Sequence, residues 1–166
     1  SIHLSIDGSG SMQGKKWDQV LINTIALGYV SLNMNNIDLT ISIRTTGIDP
    51  NLSSQTEHIP LLILAFNSKK HTLKDLKKLG NFIAKGLTPE GMCLNVLNNY
   101  IPKSSYYLDS YLINMSDGFP TFESSAFKYK GKSAILDTTK AVNNIKRKGV
   151  KILSYFIESP SSYTKS

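Results

Sequence analysis

Asp7, Ser9 and Ser11 occupy alternate positions of the stretch Asp7-Gly8-Ser9-Gly10-Ser11-Met12. One carboxylate and two hydroxyls on a single short loop form a hard-oxygen surface, the kind that Mg²⁺ or Mn²⁺ prefers. The two intervening glycines let the backbone bend sharply and come close to a ligand. An ordinary turn, with Asp7 as its Asx residue and Ser11 capping the next helix, would use the same residues. Two more loops bear on the choice, Gly86-Leu87-Thr88 and Met115-Ser116-Asp117-Gly118.

Hydrophobic periodicity supplies the elements that must position these loops. Ile2, Leu4 and Ile6 make a first strand over 2–6, so Asp7 follows it directly. Lys15 to about Leu32 has Trp17, Val20, Leu21, Thr24 and Gly28 at helical spacing. Ile22, Ile25 and Tyr29 widen that face, which predicts a largely buried helix. Ile37, Leu39, Ile41 and Ile43 alternate with Asp38, Thr40, Ser42 and Arg44, a strand with period 2. A polar loop over 47–58 leads to the apolar strand Ile59–Phe66, a connection that permits an antiparallel pair. Thr72 caps a helix with Leu73, Leu76, Leu79 and Ile83 inward, ended by Gly86. Pro89 opens a short helix that turns Met92, Val96 and Leu97 inward. Tyr111–Met115 delivers Ser116-Asp117-Gly118. An aromatic- and lysine-rich loop over 119–133, a helix at about 134–148 and a strand at 150–157 complete the chain.

This order predicts an α/β fold: a three-layer, doubly wound, Rossmann-like and mostly parallel sheet, with helices on both faces and one antiparallel edge strand. Ligands of such sheets bind beyond the carboxyl ends of the strands. Asp7 and Asp117 both stand there. Thr88-Pro89-Glu90 fits either a helix start or a site loop, since a hydroxyl has two lone pairs.

On these three loops the chain resembles the von Willebrand factor A (VWA) domains, whose DxSxS signature Asp7-Gly8-Ser9-Gly10-Ser11 reproduces. Gly86-Leu87-Thr88 resembles the family's second loop and Ser116-Asp117-Gly118 its third. The resemblance implies a metal-ion-dependent adhesion site built from Asp7, Ser9, Ser11, Thr88 and Asp117. Mg²⁺ is the expected ion, with Mn²⁺ or Ca²⁺ as alternatives. It further implies that the serines bind directly and the aspartates directly or through water. One coordination position stays open for an Asp or Glu of a protein partner. The implied function is a non-catalytic, divalent-metal-dependent protein–protein interaction module, 1–157, lacking the family's usual last strand and helix. Residues 158–166 are then a polar tail or the start of a linker.

Glu90 departs from many relatives, which have a small polar residue there. It either aims at the ion or, as an early helix residue, favours the helix N-terminus; the second reading is adopted. The Thr88-Pro89-Glu90-Gly91 loop suits the intracellular, chelatase-like branch, whose partner would be an AAA+ ATPase subunit or its client. A secreted or surface adhesin is the alternative. A metal-dependent hydrolase is a third reading, weakened because no His or Lys base accompanies the motifs.

Composition is that of one globular domain: 166 residues, 40% hydrophobic, 19% charged, net charge +7. No apolar run reaches the ~18 residues of a membrane span. The single Cys93 forms no internal disulfide, which favours a reducing, cytoplasmic setting. Secretion stays open because the chain opens inside a strand without a starting methionine. Lys146-Arg147-Lys148 reads as the end of a helix rather than a nucleic-acid patch, since no aromatics interleave it. The loop aromatics Phe119, Phe122, Phe127 and Tyr129 either pin the loop or offer contact area to a partner.

Overall fold

The computed structural model describes residues 1–48, 58–123 and 128–157. Residues 49–57 (with Asn51-Leu52-Ser53, a potential glycosylation acceptor), Phe127 and the 158–166 tail lie outside this range. Seven strands are described: β1 Ile2–Asp7, β2 Leu39–Ile48, β3 His58–Asn67, β4 Tyr111–Ser116, β5 Phe122–Glu123, β6 Lys128–Tyr129 and β7 Lys151–Phe156. The helices are α1 Lys15–Leu32, α2 Leu73–Lys77, α3 Glu90–Leu97 and α4 Gly131–Lys146.

Five strands form the main sheet in the order β3-β2-β1-β4-β7. The β1–β2, β1–β4 and β4–β7 pairs are parallel, and β3 joins β2 antiparallel at the edge. The chain order reverses around β1, so the crevice of a doubly wound sheet opens at the ends of β1 and β4. That architecture is the expected one. β5 and β6 make a separate two-stranded ribbon.

The two faces of the sheet differ in chemistry. On one, Leu4, Ile6, Leu39, Ile41 and Ile43 pack against Trp17 and Val20 of α1 and Leu76 of α2. On the other, Leu112 packs against Leu94 and Leu97 of α3 and Ala141 and Ile145 of α4. β1 and β2 turn His3, Ser5, Asp7, Ser42 and Arg44 away from the α1-side cluster, towards the face of Leu112, and all five are buried. The polar half of the β2 alternation is therefore interior, not solvated.

Several local expectations change with packing. α1 buries Trp17, Val20, Thr24 and Gly28 as its spacing predicts, but Ile22 and Tyr29 are 67% and 55% exposed, so the buried face is narrower. The helix after Thr72 is only five residues long and tightens into a 3₁₀ turn over 78–81. Its start is a full capping box with Asp75. Leu76 and Leu79 are buried, while Ile83 is exposed. In α3, Leu94 and Leu97 face the core and Val96 faces out. β7 ends the sheet with Leu153, Tyr155 and Phe156 exposed. Among the described residues, no helix is long and apolar enough to cross a membrane.

The buried face carries a pH dependence. His3 Nε2 lies 2.9 Å from Ser42 Oγ, and burial holds the imidazole at about 4 against an ordinary 6.5. Folding thus keeps the ring neutral. Its contribution is complete above pH 6.5 and is lost as pH falls towards 4, because the unfolded chain takes the proton first. The gap corresponds to about 3 kcal/mol. Urea midpoints measured between pH 7 and 4 should fall less steeply in His3→Gln than in the wild type; parallel curves would contradict this.

Candidate functional site

All three loops meet at the carboxyl ends of β1 and β4. Asp7 closes β1 and is fully buried. Its Oδ1 accepts the Ser9 amide at 2.9 Å, an Asx-type turn. Oδ2 accepts the Ser116 hydroxyl at 2.9 Å and, over a long 3.5 Å, that of Thr88. Ser9 Oγ and Ser11 Oγ stand 3.0 Å apart. Ser11 Oγ donates to Asp117 Oδ1 at 2.7 Å. The five residues singled out in the sequence are thus brought into one hydrogen-bonded cluster. Ser116, missed there, joins them as a donor to Asp7; its position before Asp117 was the available signal.

Backbone contacts fix the loops to one another. Gly10 donates its N–H to Gly86 O at 2.9 Å, and Lys85 donates to Gly8 O at 2.8 Å. Thr88 and Thr121 exchange both backbone hydrogen bonds, at 2.8 and 3.0 Å, which ties the second loop to the chain after the third. Gly86 is not a helix cap. It has φ +83°, and a Cβ there would lie 2.8 Å from the Thr46 carbonyl oxygen, so the loop presses against β2. Gly8 is required for packing too: a Cβ would meet Ile43 at 2.6 Å and Phe82 at 3.0 Å. It faces the core, not a ligand.

Charge at the site is unevenly matched. Asp117, with 1% of its side chain exposed, pairs with Lys16 Nζ at 2.5 Å. Among the described residues, Asp7 has no Lys, Arg or His partner within 4.0 Å. A fully buried carboxylate held only by an amide and hydroxyls is costly, since burial of a charge demands a counter-charge.

Glu90 stands in the first turn of α3 as expected, and it also takes a role that the sequence did not predict. Its Oε1 accepts Arg44 Nη2 at 3.1 Å and Asn114 Nδ2 at 2.9 Å. Arg44, wholly buried, also donates to Ser5 Oγ at 2.9 Å and to Met115 O at 3.0 Å. One guanidinium therefore joins β1, β4 and the start of α3, the elements that carry the three loops. Phe122 and Tyr129 are buried against Ala134, and the Tyr129 hydroxyl accepts the Gly91 amide at 3.1 Å. They pin the loop, and among its described aromatics Phe119, 79% exposed, is the one free for contact area.

The donor set suits a hard cation. Cis oxygens of an octahedral ion with bonds of about 2.1 Å lie about 3.0 Å apart, which the two serine hydroxyls reproduce. Among the described residues no three His, Cys, Asp or Glu side chains form a metal cluster, so hydroxyls are essential to any such site. A cavity of about 370 Å³ between β3 and the α2 region, lined by Ile63, Leu64, His71 and Phe82, lies apart from the loops. Cys93 is a buried core thiol, its pKa pushed up to about 12 by burial.

No protein-family model matches this sequence, and no curated protein matches it. Solved structures do. The pilus adhesin SpaC of Lactobacillus rhamnosus GG, in its open conformation, aligns with 92% of the chain at TM-score 0.60 and 13% identity. Manganese-loaded TRAP of Plasmodium vivax aligns with 95% at TM-score 0.58 and 19% identity. Proximal thread matrix protein 1 from the mussel byssus aligns with 92% at TM-score 0.58 and 15% identity. The fold is VWA-like. The chain spans 23% of SpaC, 36% of the byssal protein and 57% of TRAP. The cytoplasmic placement expected from the lone cysteine is overturned by these neighbours, since pili and byssal threads lie outside the cell. The VWA-like fold alone gives the chelatase-like reading and its AAA+ partner no support.

Proposed function

We propose that this domain is a non-catalytic, adhesin-type interaction module that works outside the cell and binds a protein partner through a divalent cation. The observation that carries the reading is Asp7: a fully buried carboxylate with no ionic partner among the described residues, ringed by the Ser9 amide and the Ser116 and Thr88 hydroxyls. A cation bound by Ser9, Ser11 and Thr88, with Asp7 and Asp117 close by, supplies the missing counter-charge. Mg²⁺ or Mn²⁺ fits the all-oxygen set, and a manganese-loaded neighbour of the same fold supports it. The adhesin reading, the alternative in the sequence, gains from the pilus adhesin among the neighbours.

The chemistry that the ion brings is electrostatic: it offers a positive centre to an incoming carboxylate. The chain's own groups do the rest. The serine hydroxyls are neutral donors that leave the ion's charge largely unspent, and the Arg44–Glu90 pair holds the three loops in register. Exposed Phe119 adds apolar contact area at the rim.

The test uses glutamate-containing peptides and their glutamine counterparts with the Mn²⁺-loaded protein, binding being followed by manganese-induced broadening of peptide NMR signals. Broadening should be confined to the acidic peptides, vanish with EDTA and vanish in Ser9→Ala. Equal broadening of the glutamine peptides would refute carboxylate recognition.

A further inference from the structure

We propose that Lys16 is a built-in competitor for the cation, a tethered ammonium that must leave Asp117 before a divalent ion binds. The proposal rests on the metal-site reading above and adds a residue to it. Lys16 Nζ lies 2.5 Å from Asp117 Oδ2 and 3.4 Å from Ser11 O. Asp117 Oδ1 is occupied by the Ser11 hydroxyl, so both oxygens of this carboxylate are engaged within the protein. The Asp117 side chain is 1% exposed and that of Lys16 18%, which leaves the ammonium as the wetter, removable half of the pair.

Helix formation gives no reason for this lysine. It is the second residue of α1, in the first turn, where the helix dipole disfavours a cation and favours Asp or Glu. Its position is explained by Asp117. The two carboxylates of the site are thus treated differently: Asp117 carries its own counter-ion and Asp7 has none among the described residues. A divalent ion beside Asp117 would stand within a few ångström of a like charge. The flexible four-carbon stem lets that charge swing away into solvent. Loading is then an exchange of cations at Asp117 and not a simple addition, and affinity for the free ion is held down.

Calorimetric titration of the intact protein with Mn²⁺ tests this, comparing wild type, Lys16→Met, Lys16→Gln, Lys16→Arg and Ser9→Ala. Removing a unit of like charge at this range should tighten Mn²⁺ binding about tenfold or more in both the Met and Gln variants. Lys16→Arg should stay close to wild type. Thermal melts give a second readout. In EDTA, Lys16→Met should melt below wild type, because Asp117 has lost its counter-ion; with saturating Mn²⁺ it should melt above. If Ser9→Ala abolishes binding while the Met and Gln variants bind no tighter than wild type, the lysine proposal fails and the site stands. If no variant binds Mn²⁺ at all, both fail.

Discussion

Glu90→Ala should destabilise the fold by about 3–5 kcal/mol, the cost of leaving a buried guanidinium without its carboxylate. Arg44 is wholly buried, and its other partners, Ser5 Oγ and Met115 O, are neutral. They cannot replace a lost negative charge. Among the described residues its Nε has no hydrogen-bond partner even in the intact network. Glu90→Gln keeps the shape and an oxygen for Asn114, and should lose less, about 2 kcal/mol. The double variant Arg44→Met with Glu90→Met removes both charges and should be clearly more stable than Glu90→Ala, because no buried charge is left unpaired. Because the same pair ties α3 to β1 and β4, the single variant should also loosen Thr88 relative to Asp7 and weaken Mn²⁺ binding. Urea unfolding of the four proteins measures the first effect and calorimetry the second. A Glu90→Ala loss below 1 kcal/mol would mean that solvent already reaches the pair.

Why the sequence foretold the loops but not this pair is a matter of which patterns are local. The strand before Asp7 and the one before Ser116 declare themselves by apolar residues, and a carboxylate directly after a strand is placed by topology alone. The i, i+3, i+4 spacing of Trp17, Val20 and Thr24 fixed the buried side of α1. The period-2 pattern of β2, by contrast, says only that its two faces differ. A solvated polar face and a buried polar face look identical in such a pattern. What distinguishes them here is a helix-borne carboxylate, Glu90, 46 residues from the arginine it meets. The available hint was two opposite charges in elements that the fold must bury. Lys16 was overlooked for a similar reason: a lysine near a helix start reads as a solvated surface residue until Asp117, 101 residues away, is seen beside it. Spacing alone makes Gly86 a helix cap, because glycine commonly ends helices. Yet the helix had already tightened into a 3₁₀ turn and ended at Asn81, and the glycine's positive φ serves a loop pressed on β2.

Asp7→Asn should separate the cation from the scaffold, because its two expected effects have opposite signs. The substitution keeps an oxygen for the Ser9 amide, and the Ser116 and Thr88 hydroxyls can rotate to accept from the new N–H₂. The turn at the end of β1 should therefore survive. Without a divalent ion, the wild type buries a charge that has no ionic partner among the described residues, and the amide removes that cost. In EDTA the variant should be at least as stable as wild type, by about 1 kcal/mol if one desolvated charge is relieved. Wild type should stay folded in EDTA as well, since the apolar core lies away from the loops. At a Mn²⁺ concentration about 100 times its dissociation constant, wild type should gain about 3 kcal/mol by linkage, while the variant gains nothing measurable. The order of stability thus reverses between the two conditions, which no purely structural role for Asp7 produces. The opposite outcome is equally readable. Arg44 is the cross-strand register partner of Asp7 on β2. If Asp7→Asn lost several kcal/mol in EDTA, the carboxylate would already be compensated from within the protein, with Arg44 the nearest source by register. Asp7 would then be a turn residue, and the need for a cation would lose its chief support.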